Sequence, residues 1–353
     1  MKHRRANPLV FALALAGAAC TPGGAATTAP SAPGGSAPIV SAPGDPSVEP
    51  TGDATPDERA DWPDSIVLGL VPSREADVLV ENAQPLADAL AEALGIEVES
   101  FVPQNYTGLV EAMGAGQADI GAFGPGALVL AEERYGVEII LQSERFGSAT
   151  YHTQWMTNDP DKYCQDEPVA DEDGLLGCNG TTEATEGPLG EESIPLVEGA
   201  TVAWVDPTSA SGFLFPAAQL IDAGLDHEAD VEGIFAGGHD AAVIAVLDGT
   251  AEVGVSFDDA RGGILEERPE VAETVVTFAF SPEIPNDGWT VRAELPDTLK
   301  DAIKQALLDY AGTEEGAATL NAIYEIDALV EADQEAFEVV RETAEKVGIP
   351  IED

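Results

Sequence analysis

The sequence predicts an α/β protein of two lobes, on three observations. Apolar runs of strand length alternate with stretches of helical pattern between Ile66 and Phe280, the rhythm of βαβ units. The chain from Trp62 onward is long enough for two lobes of ordinary domain size. The last stretch, Pro296–Val347, is nearly all patterned as helix, with Leu299, Ile303, Leu307 and Leu308 at helical spacing.

In chain order, strands are expected at Ile66–Val71, Val98–Val102, Ile120–Phe123, Ile139–Gln142, Thr201–Val205, Val253–Phe257 and Val275–Phe280. Helices are expected near 76–94, 106–116, 125–135, 212–223, 239–249 and 258–267. There is no repeat of solenoid period. The rhythm breaks in the polar, acidic segment 156–197, which holds Cys164 and Cys178. In an exported chain two such cysteines favour a disulfide over a metal site, and it would close a short loop. Zinc spacing is absent, and Asp171-Glu172-Asp173-Gly174 lacks the rest of an EF-hand loop. No metal or cofactor is expected.

The N-terminus reads as an export signal over residues 1–20. Lys2, His3, Arg4 and Arg5 form a basic start, and Leu9–Ala16 is an apolar core too short to span a bilayer as a mature helix. Gly17-Ala18-Ala19-Cys20 then looks like a bacterial lipoprotein signal in which Cys20 is lipidated. Gly17 stands where that pattern usually has Leu, which leaves ordinary cleavage open. Paired acyl chains on Cys20 would hold the protein on a membrane surface. Residues 21–60 are rich in Pro, Gly, Ala, Ser and Thr with almost no large apolar side chain. They cannot offset their chain entropy by burial and read as a flexible tether.

Charge excludes one class of partner. With 65 acidic and 15 basic residues the net charge is −50, and no basic stripe is available for nucleic acid. Such a surface suits a salty medium or a strong demand for solubility. Its long-range repulsion of an anion is screened within roughly 8–10 Å at physiological salt, so a buried pocket depends on local donors.

One segment supplies such donors. In Asp206-Pro207-Thr208-Ser209-Ala210-Ser211-Gly212-Phe213 an expected strand runs into an expected helix through small hydroxyl residues. Unpaired N–H groups and the positive dipole end at a helix start bind a tetrahedral anion, and Gly212 would admit a ligand close to the backbone. The plainer reading is that Ser209 or Ser211 is an N-cap.

Further pieces occur in a fixed order. They are Asn105-Tyr106-Thr107-Gly108-Leu109, Asp119-Ile120-Gly121-Ala122-Phe123-Gly124-Pro125, Gly237-Gly238-His239-Asp240-Ala241-Ala242-Val243, Val255-Ser256-Phe257-Asp258-Asp259-Ala260-Arg261 and Ile284-Pro285-Asn286-Asp287. With the hydroxyl turn, this set resembles the phosphate, phosphite and phosphonate substrate-binding proteins of ABC importers, over about residues 64–350. The resemblance implies a type II periplasmic-binding-protein fold, with two lobes joined by two crossing strands and the ligand in the cleft. It implies lobe one at 61–155, lobe two at 198–285 and a return to lobe one at 286–353.

It also implies a site. Thr208, Ser209 and Ser211 would hold the oxyanion, with Ala210 where the family often has Thr. His239 would reach the anion from lobe two, and Tyr106 and Tyr151 would line the cleft from lobe one. Asp259 and Asp287 fall at positions that face a ligand ammonium in aminophosphonate binders, so an amine-bearing organophosphonate is the first expectation and phosphate or phosphite the second. His239 as a helix cap, and Asp258 and Asp259 as residues serving a helix dipole, are the bland alternatives.

The implied function is an extracytoplasmic solute-binding lipoprotein delivering a phosphorus oxyanion to ABC permease subunits, and not an enzyme. A surface or sensory module with no transporter would have the same sequence. A hydrolase using Ser209 or Ser211 with His239 and Asp240 is disfavoured, because no G-x-S-x-G elbow exists.

Overall fold

The computed structural model describes residues 59–182 and 187–350. The export signal with Cys20, and the tether up to residue 58, lie outside the described residues. The chain opens with β1 (Ser65–Leu70), α1 (Ala76–Leu94), β2 (Glu97–Phe101), α2 (Tyr106–Gly114), β3 (Ile120–Phe123), α3 (Pro125–Tyr135) and β4 (Glu138–Glu144). Leu79, Ala83, Leu86, Leu90 and Leu94 of α1 are buried, the three-to-four spacing of a helix laid on a sheet. Strand β5 (Thr150–Tyr151) leaves this lobe.

Lobe two contains β6 (Thr153–Thr157), α4 (Pro160–Tyr163), β7 (Val169–Ala170), β8 (Leu176–Gly177), β9 (Thr201–Trp204), α5 (Phe215–Asp222), β10 (Glu232–Phe235), α6 (His239–Leu247), β11 (Val253–Phe257), α7 (Val271–Thr274) and β12 (Val276–Phe280). The chain returns through β13 (Ile284–Pro285) to β14 (Gly288–Val291), α8 (Asp297–Ala311), α9 (Glu314–Tyr324), β15 (Ala328–Glu331) and α10 (Glu338–Val347).

Two sheets result. The first runs β15-β4-β14-β3-β1-β2, with β14 antiparallel between β3 and β4. The second runs β10-β9-β11-β6-β12-β8-β7, with β6 antiparallel between β11 and β12. The crossing strands β5 and β13 pair with each other, Tyr151 opposite Ile284. The expected two-lobed α/β fold is thus present.

The details differ in places. The expected helix at 258–267 does not form; only Gly262–Ile264 makes a short 3-10 turn. The Asp258 and Asp259 side chains there bond other groups, and the Gly262-Gly263 pair is costly in a helix. The terminal segment is not all helical, because Ala328–Glu331 adds an edge strand to the first sheet. The acidic segment carries the Cys164–Cys178 disulfide, with Cα atoms 5.7 Å apart. It packs on lobe two through Tyr163, stacked 4.7 Å from Phe278. Helix α10 touches both lobes: it packs on α3 and α5, and Lys346 bonds Asp222.

Candidate functional site

Four helix starts meet at one small cavity between the lobes. Lobe one supplies Tyr106, the first residue of α2, and Gly124-Pro125 at the start of α3. Lobe two supplies Ser209-Ala210-Ser211, at the head of a π turn over Ala210–Leu214 that runs into α5, and His239, the first residue of α6. Each helix follows a strand directly or through a short loop, so its free N–H groups sit at a strand's carboxyl end, where α/β proteins bind ligands. The cavity volume is about 30 Å³, room for a compact group.

The hydroxyl turn is both cap and wall. Ser209 Oγ accepts from Gly212 N at 3.1 Å and also lines the cavity, so its own proton remains to donate. The N-cap and anion readings are compatible at this residue. Gly212 has a different reason from the expected one. A Cβ there would stand 2.3 Å from Val205 Cβ, so glycine lets the turn pack on the end of β9. Thr208 is not on the cavity wall. Its Oγ1 and N donate to Asp206 Oδ1 at 2.8 and 2.9 Å, while Asp206 Oδ2 accepts from Tyr106 N across the cleft at 3.4 Å. Thr208 therefore shapes the turn.

His239 is fixed on three sides. Its N–H donates to Ser73 O of lobe one at 2.9 Å, its Nδ1 lies 2.8 Å from Ser256 Oγ, and its ring stands edge-on to Phe257 at 4.8 Å. Burial first, then the Arg145 and Arg74 charges, push its pKa down to about 3. It is a neutral imidazole near pH 7. With Nδ1 accepting from Ser256, Nε2–H would be the donor it presents.

Tyr106 and Tyr151 both line the cavity. The Tyr106 hydroxyl is buried and has no partner among the described residues. Burial raises the pKa of Tyr106 and of Tyr151, which lies on the crossing strand β5. Both stay protonated donors.

The two acids separate. Asp287 lines the cavity and is ion-paired with Arg145. Burial raises its pKa, and Arg145 opposes that rise. Asp259 lies outside. Its carboxylate takes Arg261 Nε at 3.0 Å on both oxygens and Gln154 Nε2 at 3.0 Å, and it lines the mouth of a larger outer hollow. Asp258 accepts from His152 N at 2.9 Å, and burial pushes its pKa up to about 6.

Several wall residues carry no site expectation from the sequence, among them Arg145, Arg74, Ser73, Phe257 and Tyr324. Arg74 bonds Glu325 at 2.6 Å, and Tyr324 donates to Val71 O at 2.7 Å. The arginines had a usable signal. Basic residues number only 15 against 65 acids, so one placed between a strand and the lobe crossing is conspicuous. Among the described residues no cluster of His, Cys, Asp or Glu could hold a metal.

Comparison with known proteins agrees with this architecture. The Mycolicibacterium smegmatis protein named phosphate-import protein PhnD is 31% identical over 208 residues, 56% of this chain and 56% of that protein, so the match spans little more than half of the relative. The Escherichia coli phosphonates-binding periplasmic protein is 22% identical over 254 residues, 72% of this chain and 68% of its own. The structure of PhnD1 from Prochlorococcus marinus, solved in complex with methylphosphonate, superposes with a TM-score of 0.67 at 16% identity, covering 81% of this chain and 99% of that one. Residues 68–337 match the profile of the ABC transporter phosphonate periplasmic substrate-binding proteins, and the chain belongs to that family.

Proposed function

We propose that the chain is the extracytoplasmic solute-binding lipoprotein of an ABC importer, and that it takes a phosphonate or related phosphorus oxyanion into the cavity between its lobes. The observation that carries this reading is the convergence of four helix N-termini, two from each lobe, on a cavity of about 30 Å³. Hydroxyls of Ser209, Ser211, Tyr106 and Tyr151 and the neutral His239 would donate to phosphonyl oxygens. Lobe closure would present a liganded surface to permease subunits, with lipidated Cys20 and the tether at 21–60 keeping the lobes near the membrane.

Phosphate or phosphite is the second reading; the phosphate arm is favoured by the mycobacterial relative, a phosphate-import protein. A thermal-shift screen against phosphate, phosphite, methylphosphonate and 2-aminoethylphosphonate tests both readings. A ligand at about 100 times its Kd adds roughly 2.7 kcal/mol to the folded state, several degrees for a protein of this size. If none of the four raises the melting temperature, the oxyanion reading fails.

A further inference from the structure

We propose that Arg145 sets the ligand class: by holding Asp287 in an ion pair on the cavity wall, it reserves the site for compact phosphorus oxyanions that carry no cationic arm. The inference rests on the oxyanion reading above.

A carboxylate facing an anion needs a positive partner or a proton. Asp287 is the only carboxylate lining the cavity among the described residues, and its partner is already in the protein. The pair is well shielded, with 11% of the Arg145 side chain and 13% of the Asp287 side chain exposed. The Arg145 guanidinium also stands 5.9 Å from the ring centre of Phe257 in lobe two. It is therefore gripped from both lobes, at the point where the chain leaves the first.

A ligand ammonium that took Asp287 would displace this guanidinium and leave it buried without a counter-charge, which is strongly unfavourable. The second acid offers no relief, because Arg261 already binds Asp259 through both carboxylate oxygens. Glu325 is likewise held by Arg74. Arg145 Nε is buried with no partner among the described residues. The guanidinium thus keeps a donor for an oxyanion while still bound to Asp287.

The test is calorimetric titration of the full-length protein and three variants, Arg145→Gln, Arg145→Lys and Arg145→Gln/Asp287→Asn, with methylphosphonate, phosphate and 2-aminoethylphosphonate. Wild type should bind methylphosphonate or phosphate at least about tenfold more tightly than 2-aminoethylphosphonate, the scale of one lost charged contact. Arg145→Gln frees a carboxylate, so that ratio should fall by about tenfold or more. Arg145→Lys keeps the charge and should keep the wild-type order. If Arg145→Gln does not fold, the double variant, which strands no charge, still removes the guanidinium that repels the ammonium and should lower the ratio, though by less, because no carboxylate is freed.

A folded Arg145→Gln or double variant with the wild-type ratio would overturn the proposal. So would a wild type that prefers 2-aminoethylphosphonate, since its arm would then have found the acids of the outer hollow, Asp171, Asp173 and Glu283. A wild type that binds none of the three, nor phosphite, would remove the oxyanion reading itself, and this inference with it.

Discussion

Replacing Gly126 by alanine should weaken ligand binding without weakening the fold. Gly126 is the second residue of α3 in lobe one. A Cβ there would stand 2.2 Å from the Thr208 carbonyl oxygen and 2.8 Å from Leu214 Cδ1, both in lobe two. Ordinary contacts begin near 3.4 Å, so one side must move by more than 1 Å. Leu214 can turn aside. The carbonyl cannot easily follow, because Thr208 N and Oγ1 are tied to Asp206. Overpacking of this kind costs about 1–3 kcal/mol.

That strain exists only while the lobes touch. Opening the cleft removes it, and alanine is the better helix former by up to about 1 kcal/mol. The penalty therefore falls on the closed state that ligand binding requires, and affinity should drop by about 5–150-fold. Titration calorimetry would read the affinity, ligand-free melting the stability, and small-angle scattering a larger radius without ligand. Gly316→Ala is the control: its Cβ would meet the Tyr310 carbonyl at 1.8 Å inside lobe one, so it should lower the melting temperature and spare affinity. Unchanged affinity in Gly126→Ala would refute the idea that this contact closes on the ligand.

Three other outcomes are expected. Ser211→Ala should cost about 1–3 kcal/mol of binding, whereas Ser209→Ala should also lose about 0.5–2 kcal/mol of stability as a cap; calorimetry and melting separate the two, and equal stability in both variants would count against the cap. Reducing the Cys164–Cys178 bond, whose partners are 14 residues apart, should lower stability by at most about 3 kcal/mol, seen as a lower melting temperature that Cys164→Ser reproduces and reductant no longer changes. The His239 pKa falls from 6.5 to about 3 on folding, so the unfolded chain binds more protons between those values and stability is lost as pH drops through that window. His239→Asn should lose less stability than wild type between about pH 7 and pH 5. The raised acids Asp258, Asp240 and Asp287 act in the opposite sense in both proteins, so parallel profiles would refute the assignment to His239.

Elements with a strong pattern were legible in the sequence. Ile120–Phe123 and Val253–Phe257 are strands with the expected bounds, because runs buried on both faces announce themselves. Strand β6 did not, although all five residues of Thr153–Thr157 are buried. Three of them are polar, and partners distant in sequence satisfy two of the side chains: Gln154 bonds Asp259 and Thr277, and Thr157 bonds the Glu252 carbonyl. Period and hydropathy are blind to such pairing. Strand β14 is only four residues long and acquires its identity from the slot between β3 and β4. At the site, Ser209, Ser211, His239, Tyr106, Tyr151 and Asp287 are placed by the resemblance to the family, and all six line the cavity. The partners of the acids are not. Arg145 lies 142 positions from Asp287, and no local spacing records that meeting.

A protein of net charge −50 can form an anion site because the local field differs from the global one. On the cavity wall Arg145 cancels Asp287, and Arg74 is cancelled by Glu325 just behind it. His239 is held neutral and the tyrosines stay protonated. What remains is the partial positive charge of four helix starts, whose first N–H groups are only in part taken, by Asp206, Ser73 O and Ser209 Oγ. These lie on two lobes, so the full set of donors exists only when the lobes meet. On the proposed reading, an anion would gain from every part of that meeting and would repay closure through those contacts. The screened acidic exterior then sets how fast a ligand arrives, while the interior sets which ligand stays.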